Sequence, residues 1–276
     1  ATLAVPSSFT SCCAARRAAF SLPDNVIYLD GHSLGPATHA ALKRVEQTAQ
    51  QEWANGLIRS WNDAGWIDLP RTVGAKLARL IGASPEDVIV TDSVSINLFK
   101  LAAAALPLAT RRAIIVEDSE FPTDQYVAEG LAAFSGAELI RASENKGADA
   151  LAQRGGVLIK SVVNYRTAHV TNINTLEQLA AANGGVIVWD LSHATGVINL
   201  DLNASGAKLA TGCTYKFLNG GPGAPAFIYA RADIAAQLHS PITGWFGHAD
   251  PSAFTETYTP REGVARFATG TPGVLS

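Results

Sequence analysis

Methionine is absent from this 276-residue chain, and cysteine occurs only as Cys12, Cys13 and Cys213. Three thiols without metal-ligand spacing exclude a disulfide-dense scaffold and a structural zinc site; they read as free thiols in a reducing cytoplasm. No apolar run approaches the roughly 18 residues of a membrane-spanning helix. Charged residues are scarce at 16%, and the net charge is −3, so no basic field points to nucleic acid and no acidic excess to a cationic partner. Arg16 and Arg17 follow small residues and precede no long apolar core, which sets aside a targeting peptide and favours a first helix over Thr10–Phe20. Repeats and low-complexity tracts are missing as well. What is present is a 47% hydrophobic composition, suited to a globular protein with a large core.

The chemistry concentrates between Asp190 and Gly223. An apolar run, Val186–Trp189, ends in Asp190, and His193 follows. After a second short run come Tyr215-Lys216 and a glycine-rich turn, Asn219-Gly-Gly-Pro-Gly223. In α/β sheets ligands gather outside the carboxyl ends of the strands. An acid at one such end and a lysine past a neighbouring one face each other across a bound ring. Pyridoxal 5'-phosphate (PLP) requires that pair, an amine for its aldehyde carbon and a carboxylate for its pyridinium nitrogen. Lys216 is assigned the first role and Asp190 the second. Taken singly, Asp190 reads as a helix cap and Lys216 as a solvated loop lysine; the order Asp-X-X-His, aromatic-Lys, Asn-Gly-Gly-Pro-Gly moves the reading towards the cofactor.

Further motifs lie in the same order along the chain: Tyr28-Leu-Asp-Gly-His-Ser-Leu-Gly35, Gly56-Leu-Ile-Arg-Ser-Trp61, Ser95-Ile-Asn-Leu-Phe-Lys100, Phe121-Pro-Thr-Asp124, Val163-Asn-Tyr165 and Gly244-Trp-Phe-Gly-His248. With Trp189-Asp-Leu-Ser-His193 and Gly212–Gly223, they resemble PLP-dependent enzymes of the aspartate-aminotransferase fold, in the class V branch that includes the cysteine desulfurases. Within that branch the chain is similar to the kynureninases. The resemblance implies a fold type I large domain, homodimerisation with a shared site, and hydrolysis of L-kynurenine or 3-hydroxykynurenine to anthranilate and L-alanine in tryptophan catabolism. No nucleic acid or membrane partner is expected.

The resemblance also distributes roles. Val94, through its backbone, and Ser95 meet the cofactor phosphate, although Ser93 and Ser95 read equally as ordinary N-caps. Phe121 stacks on the pyridine ring, and Thr123, Asp124, Ser161 and His193 contact the cofactor. Tyr215 touches the phosphate and aids proton transfer; the alternative is a tyrosine packed on the sheet edge. Its side chain and that of Lys216 diverge along an extended backbone. Lys216 shuttles the substrate α-proton, and Trp245 and Thr271 reach the phosphate of the neighbouring subunit. Trp61 and Trp66 either pack a domain edge or, with Phe121, wall an aryl substrate. The chain departs from the family pattern at His32, Arg166 and Ala168, which bears on the substrate side.

Apolar patterning predicts an α/β fold: a mostly parallel seven-stranded sheet with helices on both faces. Helices are expected over Ala37–Asn55, Pro70–Ile81, Ile96–Ala105, Thr123–Phe134 and Thr175–Ala182. Strands are expected over Val88–Thr91, Ala113–Val116, Glu138–Ile140, Val157–Val163, Val186–Asp190, Lys208–Cys213 and Ala226–Tyr229, the last two antiparallel across a Gly/Pro turn. Residues 1–69 form an N-terminal arm and helices, and 70–276 the PLP-binding large domain. The sequence stops at Ser276 in what reads as an interior stretch, so a truncation before a C-terminal small domain is expected. That part would carry the arginine for the substrate carboxylate. Two alternatives stay open: another class V enzyme such as a cysteine desulfurase or selenocysteine lyase, and an inactive fragment.

Overall fold

The computed structural model describes residues 15–276; Cys12, Cys13 and the start of the expected first helix fall outside them. In chain order the main elements are α1 His39–Gln47, α2 Leu69–Ile81, β1 Val88–Val90, α3 Val94–Ala105, β2 Ala113–Glu117 and α4 Pro122–Ser135. They continue with β3 Glu138–Ala142, α5 Gly147–Arg154, β4 Gly156–Ser161, α6 Ile173–Ala182 and β5 Gly185–Asp190. The one-turn α7 Leu202–Ser205, β6 Leu209–Gly212, β7 Phe227–Ala230 and one-turn α8 Ala232–Ala235 complete the set.

The seven strands form one sheet in the order β1-β7-β6-β5-β4-β2-β3. Only β7 runs against its neighbours, pairing antiparallel with both β1 and β6. The other six strands therefore deliver their carboxyl ends to one edge, where an α/β sheet places its ligands. Both faces are covered, and alternate residues of each strand enter different cores. Ile114, Val116, Val157, Ile159 and Val188 pack with α3 and α4 on one face. Ile115, Leu158, Ile187, Trp189 and Tyr229 pack with α2, α5 and α6 on the other. Each fully buried aliphatic side chain contributes about 1.5–3 kcal/mol relative to exposure.

Helix ends follow local chemistry. Thr38 caps α1 by accepting from the Ala41 amide at 3.0 Å, Pro70 opens α2, and Gly82 closes it with φ +61. The strand expected over Val157–Val163 ends at Ser161, and the chain then folds back in a turn in which the Asn164 amide donates to the His169 carbonyl and the Thr171 amide to the Val162 carbonyl. Helix α5 lies where no element was expected. The helix expected over Ala37–Asn55 is present, but from Thr48 to Gly56 it widens into π turns. Gly56 has φ −76, and a positive φ of +52 falls on Leu57. Its apolar stripe is also turned outward: Val45 and Trp53 are exposed and only Thr48 is buried.

Candidate active site

A slot of about 160 Å³ opens at the common carboxyl edge, lined from five chain segments. The tip of β5 supplies Asp190, with Ser192 and His193 just beyond it. The turn from β6 supplies Cys213, Tyr215 and Lys216. The β2–α4 turn adds Phe121, Thr123 and Asp124, and the β1–α3 turn adds Ser93, Val94 and Ser95. Ala224 and Ala226 close the slot ahead of β7.

Asp190 and Lys216 are both buried. Ser192 donates to Asp190 Oδ1 twice, from its amide at 2.8 Å and its hydroxyl at 2.6 Å. Burial pushes the Asp190 carboxyl up, while Ser192 and the Lys216 ammonium moderate the rise. Asp124, in the first turn of α4, adjoins it. Burial, then the charges of Asp190 and Glu120, lift its carboxyl well above the usual range, with Lys216 pulling the other way. Two adjoining buried carboxyls do not both ionise readily, and the upward push is the stronger on Asp124. Asp124 Oδ2 is buried without a hydrogen-bond partner.

Lys216 Nζ lies 2.9 Å from His193 Nε2. Burial, Lys216 and His32 lower His193 to about 4, so its ring is neutral at pH 7 and accepts from the lysine. The same amine lies 5.7 Å from the Phe121 ring centroid and 5.8 Å from that of Tyr215. Tyr165 meets Phe121 edge-on at 5.1 Å. The chain around Lys216 is fixed from outside. The Gly35 amide donates to the Tyr215 carbonyl at 2.8 Å. A Cβ on Gly35 would lie 2.1 Å from the Lys216 carbonyl oxygen, so this close approach demands glycine.

The expected residues divide by position. Tyr215 and Lys216 both line the slot, on the bend that follows the end of β6 at Gly212. Ser93 is the N-cap of α3, accepting from the Ile96 amide at 3.5 Å, and Ser95 lies in the first helical turn. Ser161, paired across the sheet with Asp190, stays outside the lining; its amide donates to Glu120 at 3.1 Å. Trp245 stacks with Phe254 and meets Trp61 edge-on, and Thr271 lines a separate cavity of about 460 Å³. Trp61 and Trp66 meet at 6.0 Å and pack away from the slot, Trp66 donating to Glu52 at 2.8 Å. Within one chain they are edge packing; the aromatic wall of the slot is Phe121 backed by Tyr165. Ser192 and Glu120 were not singled out, although Ser192 sits in the Asp-X-Ser-His motif; Glu120 carries no local signal.

This donor set fits PLP. A buried amine faces a buried acid pair, and an aromatic face borders the gap between them. The N-terminus of the twelve-residue α3 presents free amides for a phosphate. Cys213 does not fit a persulfide-forming nucleophile: it is buried, its thiol is pushed up by that burial, and Sγ lies 3.7 Å from the Ser192 carbonyl.

Known proteins carry the same arrangement of sequence. Kynureninase of Pseudomonas fluorescens is 44% identical over 268 residues, covering 94% of this chain. The chain spans 64% of the length of that relative. Apo cysteine desulfurase from Thermococcus onnurineus NA1 superposes with a TM-score of 0.75 at 18% identity, over 100% of this chain and 68% of that one. A C-DES mutant with glycine covalently linked to its PLP cofactor gives 0.75 at 18% identity, over 90% and 67%. These two likenesses establish the fold. A family model described as aminotransferase class-V matches residues 27–276, the span holding the sheet and every residue of the slot, and the chain belongs to that family.

Proposed function

We propose that the protein binds PLP in this slot and hydrolyses L-kynurenine, or its 3-hydroxy form, to anthranilate and L-alanine. The carrying observation is one slot that joins a buried lysine to a buried acid pair, in a chain 44% identical to a kynureninase. When bound, PLP supplies an electron sink for the carbanion character that develops beside the substrate amine. Asp190, with Oδ1 fixed by Ser192, would hold its carboxylate towards the ring nitrogen, and Asp124 adjoins it. Phe121 covers one ring face. The α3 amides of Val94 and Ser95 receive the phosphate. Lys216 holds the aldehyde carbon and, once released, moves the α-proton. Neutral His193, 2.9 Å away, accepts from the amine and steadies its direction.

The protein acts as a homodimer in this proposal. Trp245 and Thr271 lie off their own chain's slot, and Ile27, Leu29, Trp53 and Ile58 are each exposed. Sedimentation gives the mass directly; a monomer at working concentration refutes this part. A reducing cytoplasm and a place in tryptophan catabolism belong to the same reading. The test of activity is an absorbance band at about 420 nm from the lysine-bound cofactor, shifting on addition of kynurenine as anthranilate fluorescence appears. A band with no anthranilate refutes the substrate; no band refutes the cofactor.

A further inference from the structure

Behind the slot lies a buried charge cluster that the proposed chemistry does not use. Lys160, on β4, places Nζ 2.8 Å from Glu117 Oε2 and 2.8 Å from Glu120 Oε1. All three side chains are at least nine-tenths buried. Glu120 Oε2 also accepts from the Ser161 amide at 3.1 Å. Glu117 accepts from the Asn145 amide at 3.1 Å and the Gly147 amide at 2.8 Å. A buried ion cluster is weak evidence for stability, since packed apolar residues of similar volume serve as well or better. Its members are placed where stability is not the main consequence. Glu120 immediately precedes Phe121, and Ser161 pairs with Asp190 across the sheet.

We propose that Glu120, held by Lys160 and the Ser161 amide, is a positioning residue that fixes the Phe121–Asp124 turn against the tip of β5. The inference rests on the cofactor reading above. The anchor fastens the turn carrying Phe121 and Asp124 to the strand adjoining Asp190. Through the Gln125 side chain, which donates to the Glu120 carbonyl at 2.9 Å, the first turn of α4 is drawn in as well. The cluster also acts by charge. Burial pushes the Glu120 carboxyl up, and Lys160 and the Ser161 amide pull it back. Glu120 joins Asp190 in raising Asp124, against the pull of Lys216. Burial works against the Lys160 charge, and Glu120 and then Glu117 outweigh it, so the ammonium persists and the anchor holds at neutral pH.

Two substitutions separate geometry from charge. Glu120→Gln keeps an acceptor for the Ser161 amide and deletes the charge; Glu120→Ala deletes both. Glu177→Gln, at a buried acid bonded to Trp189 on the far core, controls for loss of stability alone. PLP affinity is read by absorbance titration of the full-length protein, and the Asp124 carboxyl by ¹³C titration of the cofactor-free form. We expect Glu120→Ala to weaken PLP about tenfold or more. Glu120→Gln should weaken it less and shift Asp124 titration to lower pH, and Glu177→Gln should do neither. Affinity within about twofold of the parent in both Glu120 variants, with Asp124 titration unmoved, overturns the proposal. If Glu120→Ala does not fold, Glu120→Gln and the titration still decide. If the parent binds no PLP, the cofactor reading has failed, and the cofactor-free titration tests the Glu120–Asp124 link by itself.

Discussion

Gly35→Ala is the sharpest perturbation of the proposed lysine. The added Cβ would lie 2.1 Å from the Lys216 carbonyl oxygen, 2.4 Å from Asn219 Oδ1 and 2.8 Å from Asn219 Cα. Two of these neighbours are backbone, so no side-chain rotation relieves the contact. A normal Cβ contact starts at about 3.4 Å, so the strand of chain bearing Lys216 must retreat by about 1 Å. That movement also strains the bond from the Gly35 amide to the Tyr215 carbonyl. Overpacking of this kind costs about 1–3 kcal/mol, a fall of about 2–10 °C in melting temperature for a chain of this size. The effect on turnover is larger, because a misplacement of about 1 Å costs about a hundredfold. Gly31→Ala is the matched control: its Cβ meets only Phe217 Cδ1, at 3.9 Å. Differential scanning fluorimetry, cofactor absorbance and anthranilate release in parallel distinguish the outcomes. Gly35→Ala with the stability and turnover of Gly31→Ala refutes the claim that this contact sets the lysine.

Three other outcomes follow from the site. Asp190→Asn keeps the shape and removes the charge opposite the ring nitrogen; it binds PLP and loses about a hundredfold or more in turnover, and near-parental turnover refutes the pairing. Asp124 has a folded value above its unfolded value of about 3.9, so the stability it contributes is intact at low pH and is lost as pH rises through the folded value. The cofactor-free protein therefore melts lower as pH rises through that range, and Asp124→Asn flattens the slope. His193, depressed to about 4, acts with the opposite sign and is common to both proteins, so the difference between them isolates Asp124. Cys213→Ala keeps kynurenine turnover within about threefold, since only a buried small side chain is lost; loss of turnover on that change favours thiol chemistry.

The interior strands were legible because a sheet covered on both faces writes them as apolar runs, Val186–Trp189 most clearly. Asp190 and Lys216 were legible because each sits beside its own motif, at a strand end and before a glycine turn. Helix α5 was not. It buries little beyond Leu151, and its first amide is capped by Glu117, thirty positions away in sequence. No local pattern records a cap of that kind. The outward stripe of α1 misled for a related reason: periodicity shows that one face is apolar but not what covers it.

The acid pair shows most plainly where local reading stops. The Phe121-Pro-Thr-Asp124 turn reads as a helix start whichever way its acid points, with Pro122 in the first turn. What raises the Asp124 carboxyl is burial first, then its contact with Asp190 and the nearby charge of Glu120, brought together by the parallel pairing of β2 with β4 and of β4 with β5. A register slip of one residue would exchange the faces that Lys160 and Ser161 occupy. The Glu120 anchor and the Asp190 tip would then part, although every motif in the sequence would survive. Sheet register, more than any one motif, holds the two ends of the proposed cofactor slot at a working separation.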